Sequence, residues 1–281
     1  MKRNIRFVGL LLVLVIAISV CLPVTALAAG ETIDVSTASK GYFTVNDQSG
    51  FTSTVKIGVA FGGTTTYYDY TNGAACAYAF EKGNGTYTIN VYHSRGGTSY
   101  SYYTGKSVNV TLESANAPFL ASTAEVTFTA GDKVGLKAAE LCQGLTTDDE
   151  KVVAIFKYIS ANFKYDRTLA KKITSGEITT YMPSTSKTLD AGTGICYDLS
   201  SLFAAMCRSQ GIPCVITKGY VGKTYHAWNK VSVGGSWYLV DMTYSLGRSL
   251  TAVKTAANCA SRITTYSQQS DSIATVNPYA A

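Results

Sequence analysis

The sequence predicts an α+β domain preceded by a small all-β sandwich. Over residues 31–113, short runs such as 55–61 and 108–112 carry an apolar residue at every second position, and turns rich in glycine and asparagine separate them. A period of two indicates strands with one buried and one exposed face. After Pro118 the apolar residues recur at helical spacing, and three strand-like runs follow between Cys214 and Met242. Helices followed by an antiparallel sheet are typical of α+β domains.

The first predicted domain covers residues 29–115. Six or seven short strands in a segment of about 85 residues favour a small antiparallel sandwich, and an immunoglobulin-like module is one such sandwich. The segment is rich in tyrosine. These rings either form a binding surface for sugars or proteins, or serve only as strand formers, and the sequence leaves both interpretations open. The tyrosines are Tyr42, Tyr67, Tyr68, Tyr70, Tyr78, Tyr87, Tyr92, Tyr100, Tyr102 and Tyr103.

Residues 1–28 have the pattern of a secretory signal peptide. Lys2, Arg3 and Arg6 precede an apolar stretch over residues 7–22, and Ala26-Leu27-Ala28 supplies small residues at a cleavage site after Ala28. An uncleaved membrane anchor is the alternative, although spanning helices usually need about 20 apolar residues. We therefore expect a secreted or cell-surface-associated protein that is not held in a membrane after cleavage.

The charge of the chain argues against binding to nucleic acid. Its formal net charge is +6, but three of the 24 basic residues and none of the 18 acidic ones lie in residues 1–28, so the remainder carries +3. A balance this small and evenly spread is not typical of nucleic-acid-binding domains. The six cysteines beyond residue 28 form no C-x-x-C pair, and the chain has only two histidines. We expect neither a metal site nor a cofactor.

Three helices are predicted in the second domain, residues 116–281. Asp132 is the expected N-cap of a helix that ends near Cys142. Thr147 and Glu150 have the spacing of a capping box, and the apolar residues behind them form one helical stripe. The third helix is predicted over residues 194–208.

Cys196 is expected at the beginning of the third helix, directly after Gly192-Thr193-Gly194. The positive end of the helix dipole and the free N–H groups of the first turn favour a thiolate there. The same N–H groups can stabilise an oxyanion that forms on an attacked carbonyl. From its position alone, a buried structural cysteine is the alternative.

His226 and Asp241 are predicted to lie on the same face of a hairpin. A two-residue loop at Gly234-Gly235 places His226 opposite Thr243, whereas a four-residue loop centred one position earlier places it opposite Asp241. In either register the two side chains are within reach of each other. We expect the carboxylate to accept the Nδ1–H and to steady the imidazolium. The alternative is a half-buried strand histidine that only forms a structural hydrogen bond to a carboxylate.

Together these motifs resemble the core of the transglutaminase-like superfamily, over roughly residues 134–244. The resemblance implies a papain-like α+β fold in which Cys196 is the nucleophile, His226 the general base and Asp241 the orienting carboxylate. Family members often have proline after this aspartate, where Met242 stands here. The similar segments are Gly192-Thr193-Gly194-Ile195-Cys196-Tyr197-Asp198, Gly211-Ile212-Pro213, Gly219-Tyr220, His226-Ala227-Trp228 and Val240-Asp241.

The resemblance also implies the chemistry: a thiolate attacks an amide, ammonia or an amine leaves, and another amine or water resolves the thioester. We therefore expect an exported enzyme that acts on a protein or peptide substrate, including cell-wall or surface components. Trp228 and Tyr197 are candidate substrate-binding residues, although Trp228 is equally well interpreted as a core anchor. A peptidase or amidase that uses water only, and a non-catalytic surface-binding protein with a vestigial triad, are the alternatives.

Three further predictions concern single residues. His93 is interpreted as a surface residue beside a turn. Cys207 and Cys214 are interpreted as free buried thiols rather than a disulfide. Tyr165 and Tyr181 can each supply an oxyanion donor, and no spacing argument selects between them.

Overall fold

The computed structural model describes residues 32–261 and the strand at 266–268. The predicted signal peptide lies outside these residues. Two antiparallel sheets come first, and helices with a further antiparallel sheet follow. This order confirms the predicted α+β class. Within the described ranges, none of the helices combines the length and apolarity that crossing a membrane requires.

Seven strands form the N-terminal part, over residues 32–115. Strands β1, β2 and β5 make one sheet, and the other four make a second sheet in the order β4-β3-β6-β7. The strands are β1 (Ile33–Asp34), β2 (Tyr42–Val45), β3 (Val55–Phe61), β4 (Thr64–Asp69), β5 (Cys76–Ala79), β6 (Gly85–Gly96) and β7 (Ser99–Val110).

This division of the strands is that of an immunoglobulin-like sandwich whose fourth strand has joined the second sheet. Tyr87, near the start of β6, donates its hydroxyl to Gly83 O at 2.9 Å and accepts from Lys82 N at 3.0 Å. Such a backward hydrogen bond is the tyrosine corner of these sandwiches. The tyrosines of this part range from buried to exposed. Tyr70, Tyr78 and Tyr87 belong to the core between the sheets, whereas Tyr102 and Tyr103 are 62% and 44% exposed.

The interpretation of His93 as a surface residue is wrong. Its ring is stacked between Phe51 at 4.1 Å and Tyr103 at 4.3 Å, and its Nε2 lies 2.8 Å from Oδ2 of Asp47. The neighbouring turn suggested exposure, but partners distant in sequence cover the ring.

The helices of the second part begin as their capping residues predict. Asp132 accepts from Val134 N and Gly135 N, and Thr147 and Glu150 form the capping box. The third predicted helix begins at Cys196, because Thr193–Gly194 is a short strand instead. The elements are α1 (Lys133–Leu141), α2 (Asp148–Asn162), β8 (Lys164–Tyr165), α3 (Arg167–Thr174), α4 (Thr185–Ala191), β9 (Thr193–Gly194) and α5 (Cys196–Ser209).

The C-terminal sheet has the order β12-β11-β10-β13. Val233 pairs with Ser236, so the hairpin between β11 and β12 has the two-residue loop Gly234-Gly235 that the sequence allowed. Its last strand ends at Val240, earlier than predicted, because Asp241 caps a short helix. The elements are β10 (Cys214–Val221), β11 (Thr224–Val233), β12 (Ser236–Val240), α6 (Met242–Ser245), α7 (Ala256–Cys259) and β13 (Tyr266–Gln268).

The apolar core of this part lies between α1, α2, α5 and the sheet. The predicted stripe of α2, with Ile155, Phe156 and Ile159, packs there on Leu202 and Phe203 of α5. Because α5 is buried along nearly its whole length, it is the central element of the domain.

Gly41 lies where the sandwich packs closely against Pro118, in the segment that follows the sandwich. Its φ is +86°, and an added Cβ would lie 2.4 Å from Pro118 N. Gly50 has a similar φ of +76° with nothing within 4 Å of an added Cβ. Both alanine variants therefore carry backbone strain of about 1–2 kcal/mol, and we expect Gly41→Ala to lose about 1–3 kcal/mol more through overpacking. Urea unfolding measures the difference, and equal losses would contradict the close packing.

Candidate functional site

The nucleophile candidate, Cys196, is the first residue of α5. Its preceding residue, Ile195, is extended, with φ −81° and ψ 178°, and acts as the N-cap. The two residues of β9, which lead into α5, are held in place because β9 pairs in parallel with β8 and Asp166 N donates to Gly194 O at 3.0 Å. Cys196 is 4% exposed. The first turn of α5 therefore presents its N–H groups and dipole beside a largely buried sulfur.

His226 and Asp241 lie together, on the common face that the hairpin register predicts. Nε2 of His226 is 2.7 Å from Oδ2 of Asp241, and both residues are buried. The expectation that Asp241 would engage Nδ1 is wrong. Since Nε2 takes that position, Nδ1 is the nitrogen left to face Cys196, whose side chain is near enough to act on the imidazole.

Asp241 is held by a second contact. Its Oδ1 accepts from Tyr244 N at 3.2 Å, so the carboxylate is the N-cap of α6 as well as the partner of His226. Its side chain has no exposed surface. The cap fixes the direction from which the carboxylate meets the imidazole, and so helps to orient the ring.

The surroundings of His226 favour the imidazolium. Burial lowers the pKa of His226, but the hydrogen bond to Asp241 and the interactions of the ring with Cys196 and with the charge of Asp241 outweigh burial. Together they raise the pKa from 6.5 to about 10. A proton held on the imidazole is compatible with a negatively charged sulfur beside it, so the arrangement can support a thiolate–imidazolium pair.

Two rings pack on the imidazole. Trp228 is 1% exposed, and its ring lies 6.4 Å from that of His226 at an angle of 23°. Tyr244 approaches edge-on at 5.5 Å and is 54% exposed. Trp228 is thus a buried support for the histidine, whereas Tyr244 lies where the site meets solvent. The sequence analysis missed Tyr244, although its place three residues after a capping aspartate is the signal that could have found it.

The other residues singled out in the sequence have partners of their own. Tyr197 is 4% exposed, and its hydroxyl contacts Glu125 and Lys218. Tyr181 donates to Oδ1 of Asp198 at 2.8 Å. Tyr165 packs beside Cys196 and the cluster around it. Substrate binding by Tyr197 or Trp228 stays a prediction.

All six cysteines of the described residues are free and buried, as expected for Cys207 and Cys214. These two thiols lie near each other, and burial raises the pKa of Cys207 well above its ordinary value. Cys142 and Cys259 belong to the same core, and Cys76 belongs to the core of the sandwich. Cys196 differs from them, because its partner is an imidazole.

Comparison with known proteins gives a family match over the segment that contains these residues. Residues 137–242 match the sequence model of the transglutaminase-like superfamily. The mouse and human proteins named kyphoscoliosis peptidase are 32% and 33% identical to this chain over 140 and 122 residues. These alignments cover 45% and 39% of the chain, but only 20% and 18% of the two mammalian proteins.

The solved structures that match this chain are distant from it in sequence. A Cytophaga hutchinsonii protein, provisionally described as a cysteine protease, is 18% identical with a TM-score of 0.40, and 73% of this chain and 72% of that one are covered. The periplasmic domain of TgpA from Pseudomonas aeruginosa is 14% identical with a TM-score of 0.37, at the same coverage of 73% and 72%.

Proposed function

Because residues 137–242 match the sequence model of the transglutaminase-like superfamily, we propose that the chain is an exported cysteine enzyme. In this proposal it cleaves amide bonds of proteins or peptides through a thioester. The observation that carries the proposal is the position of His226 between two partners: the Asp241 carboxylate lies 2.7 Å from Nε2, and the Cys196 side chain is near enough to act on the same imidazole. A structural cysteine would need neither the imidazole nor the carboxylate.

In the first half-reaction, the Cys196 thiolate attacks the amide carbonyl and forms a C–S bond. Negative charge moves to the carbonyl oxygen, where the N–H groups of the first turn of α5 can stabilise it. The His226 imidazolium then gives its proton to the departing nitrogen, the C–N bond breaks, and ammonia or an amine leaves. Asp241 keeps the ring oriented throughout, and a thioester on Cys196 remains.

In the second half-reaction, an acceptor attacks the thioester carbonyl while neutral His226 takes its proton, the C–S bond breaks, and the Cys196 thiolate is regenerated beside the imidazolium. An amine gives a new amide, and water gives a carboxylic acid. Hydrolysis is the second candidate function, and the name peptidase carried by the mammalian relatives favours it. A vestigial site is disfavoured because all three side chains are present, with Asp241 bound to His226 and Cys196 near the same ring.

One incubation distinguishes an amine acceptor from water. The secreted form of the chain is mixed with a glutamine-rich protein and a fluorescent primary amine, and both labelling and fragmentation of the protein are measured. Fluorescence in the intact substrate, with release of ammonia, supports acyl transfer. New N-termini without label support the peptidase. If a panel of exported proteins is neither labelled nor fragmented, the result argues for the non-catalytic alternative. N-terminal sequencing of the secreted form tests cleavage after Ala28.

A further inference from the structure

The segment that joins the sandwich to the second part, residues 121–126, is hydrogen-bonded on both sides. Ala124 N donates to Ala77 O of β5 at 2.8 Å, and Nη1 of Arg208, near the end of α5, donates to Ala121 O at 2.7 Å. Thr123 and Val126 are also bridged to each other. The segment is therefore built into the structure and is not a free linker.

One face of α5 runs along this segment. The Ser201 hydroxyl donates to the backbone carbonyl of Glu125, and the Tyr197 hydroxyl donates to its carboxylate. With Arg208 bound to Ala121 O, the three α5 residues have the spacing of one helix face. The segment thus lies antiparallel to the helix, with Glu125 at the end that carries Cys196.

The Glu125 carboxylate connects two elements of the proposed site. Besides Tyr197, it pairs with Lys218 of β10. Nζ of Lys218 lies 3.0 Å from the Tyr197 hydroxyl and 4.3 Å from the centre of its ring. Tyr197 directly follows Cys196, and Lys218 directly precedes Gly219, which pairs with His226 across the sheet. Glu125 therefore joins the residue after the sulfur to the strand beside the imidazole.

We propose that Glu125 is a positioning residue, which fixes the first turn of α5 against β10 so that the Cys196 sulfur meets His226. The inference rests on the proposed role of Cys196 as nucleophile. A second hydroxyl–carboxylate contact, from Tyr181 to Asp198, holds the same turn from another side, and Oδ2 of Asp198 also accepts from Ile195 N at 2.9 Å. Glu125 supplies the contact that reaches the histidine-bearing sheet.

Other charged groups also act on the cluster. Arg208 and Glu81 are near enough for their charges to interact with that of Glu125. Glu125→Gln keeps the shape of the side chain and removes only its charge, so its effects include a change in this balance. Tyr197→Phe removes one hydroxyl and leaves every charge in place, and the two variants together separate positioning from electrostatics.

The test is the rate at which iodoacetamide alkylates Cys196, followed between pH 5 and 9 by mass spectrometry of its peptide. We expect Glu125→Gln to lower the rate at pH 6 about tenfold, since small displacements of reacting groups cost one to two orders of magnitude. We also expect the pH of half-maximal reactivity to rise as the sulfur–imidazolium pair loosens. Tyr197→Phe should change the rate and the pH of half-maximal reactivity in the same directions. In the double variant, the fold-decrease in rate should be smaller than the product of the two single fold-decreases.

Glu140→Gln is the matched control, because that exposed carboxylate of α1 pairs only locally with Lys137. It should leave the profile unchanged. Suppose that both Glu125→Gln and Tyr197→Phe fold, and that their Cys196 is alkylated at the wild-type rate with the wild-type pH profile. Glu125 is then structural only, so the inference fails while the proposed function stands. If Glu125→Gln does not fold, Tyr197→Phe decides. A wild-type Cys196 no faster than the other buried thiols overturns both proposals.

Discussion

Cys196→Ala is expected to lower turnover about 10⁴-fold or more, to the background rate, while the protein stays folded. Loss of a nucleophile has effects of this size because no other group can form the covalent intermediate. The side chain is small and belongs to a small buried cluster apart from the main core, so removing its sulfur should cost little stability. Turnover of the substrate found by the amine-labelling assay, together with Tm, measures the two effects.

Cys76→Ala is the control for this variant. Cys76 is likewise buried, but it lies in the sandwich, and burial raises the pKa of its thiol. We expect this variant to keep wild-type turnover. Substantial activity of Cys196→Ala would mean that the thioester mechanism is incorrect, however well the three side chains align.

Asp241→Asn is expected to lower kcat about 10⁴-fold, as the loss of the orienting carboxylate does in other triads. The asparagine Oδ1 can still accept from Tyr244 N, so the cap of α6 survives and the change affects mainly His226. Asp241→Ala removes the cap as well. We expect both variants to lose kcat to this extent and the alanine variant to lose more stability than the asparagine variant, which thermal unfolding measures.

The pH dependence of Asp241→Asn gives a second readout. With Asp241 present, the pKa of His226 is about 10, above the 6.5 of a free histidine. The stabilisation that comes from the imidazolium is therefore complete below pH 6.5 and is lost as the pH rises towards 10. Without the carboxylate the pKa falls, so the alkaline limb of residual activity should move to lower pH. An unchanged limb would show that Asp241 does not hold the proton on His226.

Local patterns predicted most of the fold. Alternating residues identified the strands of the sandwich, and Asp132, Thr147 and Glu150 marked the helix starts, because caps act within one turn. The same holds for His226 and Asp241, whose common face follows from a two-residue turn between paired strands. Where a site is built within one hairpin, sequence spacing is enough to predict it.

Contacts between distant segments could not be predicted. Glu125 meets Lys218 across 93 positions of the chain, and His93 meets Asp47 across 46, and no periodicity links such residues. The ring nitrogen that faces Asp241 was also predicted wrongly, because it depends on the side-chain rotamer and not on the strand register.

The Gly234-Gly235 loop restricts which changes of length the protein can accept. Hairpin tips usually tolerate insertions, but here the loop sets the face from which Asp241 projects. One extra residue would shift the pairing by one position and turn the carboxylate away from the histidine, whereas two extra residues, accommodated in the loop, would leave it in place. Loop lengths at this tip are therefore compatible with the site in steps of two, a restriction imposed by the pleat of the sheet.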